Sequence, residues 1–172
     1  MTESISRVVS LVLGGLFTGF LVTVMVLELS MRDLGASAYT QVRQVELDHL
    51  DVLATAMLLP TAAAVIILVC LGLRRGAPGL GLYSVALVLL LVVFMTTVVV
   101  NLPINADQRD WSIARPPSDW ASDRDRWQVA HAVRTGAALL AYGCLLVASG
   151  VHRRATLEPD PVDGRRRELL AQ

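Results

Sequence analysis

Trp127, His131 and Arg134 stand at i, i+4 and i, i+3 spacings, so on a helix their side chains share one face. A histidine and an arginine on one face of an apolar helix read as members of an internal polar network, because an arginine at membrane depth is expensive and normally faces a polar interior. Glu46-x-x-His49 is a second constellation. A Glu-x-x-His pair supplies metal ligands in four-helix di-iron bundles, but those need two such pairs and two further glutamates. This chain has one. Glu28 and His131 would complete a smaller set of the kind zinc takes, with three protein groups and a water. The metal-free reading is preferred, with Glu28, Glu46, His49 and His131 kept as the metal alternative.

The elements that must position these side chains are apolar. The chain has 172 residues, room for one domain, and 54% of them are apolar, against about 45–50% in soluble domains. The excess is collected into four blocks, Val8–Leu29, Val52–Leu73, Leu80–Val100 and Val129–Val151. Each matches the ~20 residues that cross a hydrocarbon core. Backbone groups in lipid must be satisfied internally, so the blocks are helices and the fold class is an all-α, polytopic membrane four-helix bundle. Residues 1–154 form the four-span domain, and 155–172 a polar tail expected to be disordered.

Alternating chain direction brings the polar residues to one end. Glu28 ends the first span; Glu46, Asp48 and His49 precede the second; Asn101, Pro103 and Asn105 follow the third; Trp127, His131 and Arg134 open the fourth. The candidate site is therefore His131 and Arg134, with Asn101, Asn105, Trp127, Glu28 and His49 around them. Each also has a structural reading. Glu28 can simply end a helix in water, and His49 with its acidic neighbours can be a solvated face. Trp111, Trp120 and Trp127 can be interfacial anchors. Asn101 can cap the third span, with Pro103 stopping the helix.

Arginine placement orients the chain. Arg7, Arg74, Arg75, Arg153, Arg154 and the Arg165-Arg166-Arg167 run share one side, which puts both termini in the cytoplasm of a multi-pass cell-membrane protein. The N-terminal apolar run is too long for a signal peptide and no A-x-A-like cleavage site follows it. Between spans one and two, Leu34, Ala38, Val42, Val45 and Leu50 have helix-like spacing, which predicts a helix running on into the second span. Asn101–Ala121 is a capping loop, and Ser122 with Asp125 forms a capping box for the fourth helix. Gly15/Gly19 and Ala132/Gly136 are the small-residue pairs expected at helix contacts. Cys70 and Cys144 read as buried small hydrophobes. The net charge is zero and names no nucleic-acid partner; the lipid bilayer is the partner composition requires. The basic residues are all arginine, a composition bias that suggests a bacterial chain. No flavin, nicotinamide or haem motif is present, so no cofactor is expected.

The stretch Asn101-Leu-Pro-Ile-Asn105, followed by Arg126-Trp127 and His131-x-x-Arg134, resembles the DUF1772 family of small four-helix membrane proteins, which includes the fungal anthrone oxygenases. The resemblance runs from about Ser10 to Ser149. It implies a cofactor-independent monooxygenase that converts a hydrophobic polycyclic anthrone to a quinone. His131 would be the base, with Asn105, Trp127 and Arg134 lining the pocket. A neutral histidine can take a proton from carbon beside a carbonyl, and an adjacent Arg or Asn can hold the oxyanion. The alternative is a non-catalytic scaffold, partner subunit or small-molecule binder. An enclosed cavity of about 300 Å³ or more reaching His131 favours a ligand site, whereas a filled bundle with His131 hydrogen-bonded inside protein favours a structural role. Arg134 is expected to point inward and to pair with an acid or carbonyl of another helix, so that Arg134→Ala destabilises and the exposed Arg115→Ala does not.

Overall fold

A computed structural model describes residues 2–76 and 79–157, with side chains described up to residue 151. The arginines at 153 and 154, the run at 165–167 and the whole of the expected tail therefore lie outside the described side chains. The helices are α1 (Thr2–Ser30), α2 (Ala36–Arg75), α3 (Leu80–Thr96), a π-helical turn (Thr97–Asn101), α4 (Leu102–Arg109) and α5 (Trp120–Leu157). α3, the π turn and α4 are continuous. With α1, α2 and α5 they make four rods long and apolar enough to cross a membrane. The chain is a multi-pass, all-helical membrane protein. Its outer surface is apolar, with Val12, Leu16, Val88, Leu91, Leu140 and Val147 all exposed. Such a surface suits lipid, where helices gain nothing by hiding leucine.

Local chemistry explains the ends of these helices. Gly76 closes α2 in the left-handed region (φ 61°), its N–H bonded to the Gly72 carbonyl, a conformation that costs glycine little. Gly79 (φ 89°) opens α3 so close to α5 that a Cβ there would lie 3.3 Å from the Ala148 carbonyl oxygen. The segment between the first two spans is helical from Ala36 and runs unbroken into the membrane, as its spacing predicts. Of the residues that carry the spacing, Leu34 and Leu50 are half-buried. Ala38, Val42 and Val45 are exposed, while Tyr39, Thr40, Arg43, Glu46 and Leu47 are buried.

Two expected boundaries move. Pro103 does not stop the third rod. Proline lacks the N–H of the helical ladder and crowds the carbonyl four residues back. Here it falls in the first turn of α4, directly after the wider π turn, which re-registers the ladder ahead of it. Ser122 is not an N-cap, because α5 already begins at Trp120 and the Asp119 carbonyl accepts from the Ser122 and Asp123 amides.

The core away from the polar end is packed by Phe17, Leu21, Val65, Leu90, Leu145 and a ladder of small residues on α5, Ala137, Ala138, Ala141 and Ala148. Ser6, Ser10, Gly14 and Thr18 are the buried small residues of α1, and the Thr18 hydroxyl lies 3.5 Å from the Ala138 carbonyl. Of the expected pairs, only Gly15 makes a helix contact: a Cβ there would lie 3.1 Å from the Tyr142 ring of α5, whereas one at Gly19 or Gly136 would meet nothing within 4 Å and Ala132 is exposed. Cys70 is exposed and Cys144 half-buried, both as free thiols. In lipid, exposure carries no penalty for a small apolar side chain, which is why the burial expected of Cys70 fails.

Candidate functional site

Arg43 of α2 is the hub of the polar end. It is 3% exposed, and all its nitrogens are engaged. Nη1 lies 3.0 Å from Glu28 Oε1 of α1 and 2.8 Å from Glu46 Oε2 one turn along α2. Nε donates to Gln108 Oε1 at 2.8 Å, and Nη2 to Asn105 Oδ1 at 2.8 Å, both on α4. The guanidinium carbon stands 4.0 Å from the Trp127 ring centroid, a cation–π contact to α5. One arginine thus ties together α1, α2, α4 and α5. Around it, Trp127 Nε1 donates to Asn105 Oδ1 (2.7 Å), Asn105 Nδ2 donates to Asp51 (3.2 Å), and Asp51 is paired with Arg109 (2.7 Å). Gln128 Nε2 donates to both the backbone and the carboxylate of Glu28. The Gln44 amide donates to the carbonyls of Gln108, Arg109 and Trp111, closing the C-terminal end of α4.

Arg134 is the second buried cation, 9% exposed. It points into the bundle. Its Nε donates to His131 Nδ1 at 2.9 Å, and its Nη1 reaches the Thr97 hydroxyl at 3.4 Å. Thr97 belongs to the π turn and passes its own proton to the Val93 carbonyl. The partner expected for Arg134, an acid or carbonyl of another helix, is not there. Among the described residues no carboxylate comes within 4.0 Å of it.

His131 is fully enclosed and stacks on Trp127 at 4.8 Å and 10°. Its Nε2 lies 2.9 Å from the Leu21 carbonyl oxygen. A carbonyl only accepts, so Nε2 carries the proton; the Arg134 Nε–H only donates, so Nδ1 is bare. Both ring nitrogens are spent on protein, which leaves His131 no lone pair for a substrate.

A cavity of about 230 Å³ lies between α1, α2, the α3–π–α4 rod and α5. All three phenylalanines of the chain, Phe17, Phe20 and Phe94, line it, and its polar end is formed by Arg43, Glu46, Asp51, Asn105, Trp127 and Arg134. Its exposed wall residues are Thr55 and Leu59 on α2 and Phe94, Val98 and Leu102 on the third rod, so the mouth opens on the apolar flank of the bundle. The cavity is smaller than the expected ~300 Å³, and it reaches Arg134 and Trp127 but not His131.

The structure brings together Glu28, Asn101, Asn105, Trp127, His131 and Arg134 at one end. Asn101 is enclosed and donates to the Trp127 carbonyl at 3.3 Å; it does not cap a helix end, because the rod continues past it. Of these six, Asn105, Trp127 and Arg134 line the cavity; Glu28, Asn101 and His131 stand behind them. His49 and Asp48 are exposed and line nothing. With His49 outside, Glu28, Glu46, His49 and His131 do not assemble, and among the described residues no three His, Cys, Asp or Glu side chains converge as a ligand set. Trp127 is buried rather than an interfacial anchor, while Trp120 packs on Tyr39 at 5.5 Å. Arg43, Tyr39, Gln108, Gln128 and Thr97 escaped the sequence reading. The available signal was Tyr39-x-x-x-Arg43-x-x-Glu46, a polar stripe on a helix whose other face was apolar.

The family model described as anthrone oxygenase matches residues 51–144, which include α3, the π turn, α4 and the Trp127–Arg134 face. No curated protein and no solved structure matches the chain.

Proposed function

The chain belongs to the anthrone oxygenase family, and from that premise we propose that its flank cavity binds a flat, hydrophobic hydroxyaromatic and oxygenates it without a cofactor. One observation carries the reading: an apolar cavity walled by every phenylalanine of the chain has Arg134 at its polar end, beside Arg43, Glu46 and Asp51. An anthrone has a CH2 acidified by the ring carbonyl opposite. Loss of one proton gives an aromatic enolate with its charge largely on oxygen. Dioxygen adds at the former CH2 carbon, forming a C–O bond, and the peroxide oxygen takes up a proton. Loss of the second proton from that carbon breaks the O–O bond, leaves C=O and expels hydroxide, which becomes water. Anthrone and dioxygen thus give anthraquinone and water, and the four electrons that reduce dioxygen all come from the substrate carbon. The protein's part is to hold the ring among Phe17, Phe20 and Phe94, to present Arg134 to the enolate oxygen as fixed positive charge, and to exclude water.

The mouth on the apolar flank suits a ligand that arrives through the bilayer. With Arg7, Arg74 and Arg75 at the other end of the bundle, both termini are in the cytoplasm and the cavity lies in the outer leaflet of the cell membrane. In a background lacking Cys70 and Cys144, cysteines placed at Ser118 and Asp163 should label from opposite sides; labelling from one side overturns this orientation.

The function is tested with purified protein in nanodiscs, 1,8-dihydroxyanthrone and isotopically labelled dioxygen. One labelled oxygen is expected in the quinone and one in water, faster than the spontaneous oxidation in empty nanodiscs. Equal rates refute it. A binding-only role for the same cavity is favoured by the occupied nitrogens of His131; ligand binding without oxygen uptake would select it.

A further inference from the structure

Two arginines are buried at the polar end, and the protein places carboxylates in direct contact with one. Arg43 contacts both buried carboxylates, Glu28 and Glu46. Arg134 has a neutral imidazole on Nε and a threonine hydroxyl on Nη1, and no acceptor for Nη2 among the described residues. A guanidinium keeps its charge even when nine-tenths buried, and a buried charge without a partner is costly. Arg134 also forms part of the cavity wall. The missing negative charge therefore has a place to sit.

The groups near Arg134 that could remove a proton are each engaged within the protein. Facing Arg134 are Glu28 from α1, Arg43, Glu46 and Asp51 from α2, Thr97 from the π turn and His131 from its own helix. His131 has no free lone pair. Glu28 is bonded by Gln128 and Arg43, and Asp51 by Arg109 and Asn105. Glu46 holds Arg43 through Oε2, and its Oε1, without a partner, is sealed off.

We infer that the cavity selects the ionised form of its ligand, an aromatic enolate or phenolate whose oxygen pairs with the Nη2 of Arg134, and that this guanidinium, rather than His131, favours that ionisation. The inference rests on the proposed ligand class, but anion capture and oxygenation separate experimentally. The ligand gives its proton to interfacial water at the polar end of the bundle before the cavity encloses it, and dioxygen then meets an anion already formed.

Alizarin is a suitable probe. It is yellow when neutral and red when its phenol ionises, and as a quinone it cannot be oxygenated, so the result does not depend on turnover. It is titrated into protein in phosphatidylcholine nanodiscs at a pH where the free dye is mostly neutral. Bound to the native chain it should turn red, its apparent pKa lowered by about one unit or more, a roughly tenfold preference for the anion. Arg134→Met should bind the yellow form and Arg134→Lys should restore the red. Neutral dye bound to the native protein overturns the inference whatever the variants do, as does a red shift that survives Arg134→Met. Displacement of the dye by oleate but not by 1-naphthol would assign the oxyanion to a lipid carboxylate and overturn the aromatic assignment. Red dye with no oxygen uptake from any anthrone would uphold anion capture while removing the oxygenase reading.

Discussion

Arg43 and Arg134 are both buried guanidiniums beside the same tryptophan, 4.0 and 5.4 Å from the Trp127 ring centroid. Their surroundings differ. Arg43 is saturated: two carboxylates, two side-chain amides and an aromatic face, drawn from four helices. Arg134 has neutral partners, one of them on its own helix, and a cavity. The difference separates a charge that holds a fold together from one that is available to something else. Burial alone would have ranked the two alike; the count of counter-ions distinguishes them.

Removing each arginine is the direct way to break this contrast. Arg43→Met should cost about 3–5 kcal/mol of unfolding free energy, because it strands Glu28 and Glu46 as buried, unpaired carboxylates. Thermal unfolding in detergent measures it. Arg134→Met leaves only the neutral His131 Nδ1 and Thr97 hydroxyl without a donor, a loss of about 1–3 kcal/mol, offset by removing an unpaired buried charge. The net loss should stay below about 2 kcal/mol. This revises the expectation that Arg134→Ala destabilises by orphaning an acid or carbonyl of another helix, since its partners are the His131 ring and the Thr97 hydroxyl. Equal losses for the two variants would erase the distinction between structural and available charge. The smallest effect is expected at Gly19. Its Cβ direction is open, so Gly19→Ala should gain up to about 1 kcal/mol from helix propensity. A loss there would mean that Gly19 contacts another chain.

The polar end was legible because charged and amide residues stand out against apolar helices and because spans alternate in direction. His131 and Arg134 were found from spacing, as was the inward direction of Arg134. Arg43 was not, although it organises the site. It lies in a segment between spans where a charged residue usually faces water, and its partners Asn105 and Gln108 are 62 and 65 residues away. The apolar residues Ala38, Val42 and Val45 of this segment turn outward. At a membrane boundary the side of a helix that packs on protein can be the polar one, and the rule learned from soluble domains inverts. His49 illustrates the converse: the Glu46-x-x-His49 spacing is suggestive, but i and i+3 on a helix are about 60° apart, and the bundle buries Glu46 while leaving His49 exposed.

The sequence by itself determined the four spans, their helical state and the gathering of polar groups at one end. These follow from local hydrogen bonding, since a chain in lipid must satisfy each N–H within its own segment. Only the tertiary structure decided which charges neutralise one another. Pairing depends on a few ångströms between side chains of different helices, where Coulomb energy changes steeply with distance. Helical spacing along one chain segment does not encode those distances. That is why the sequence could point to Arg134 but could not show that Arg43 had already taken the acids.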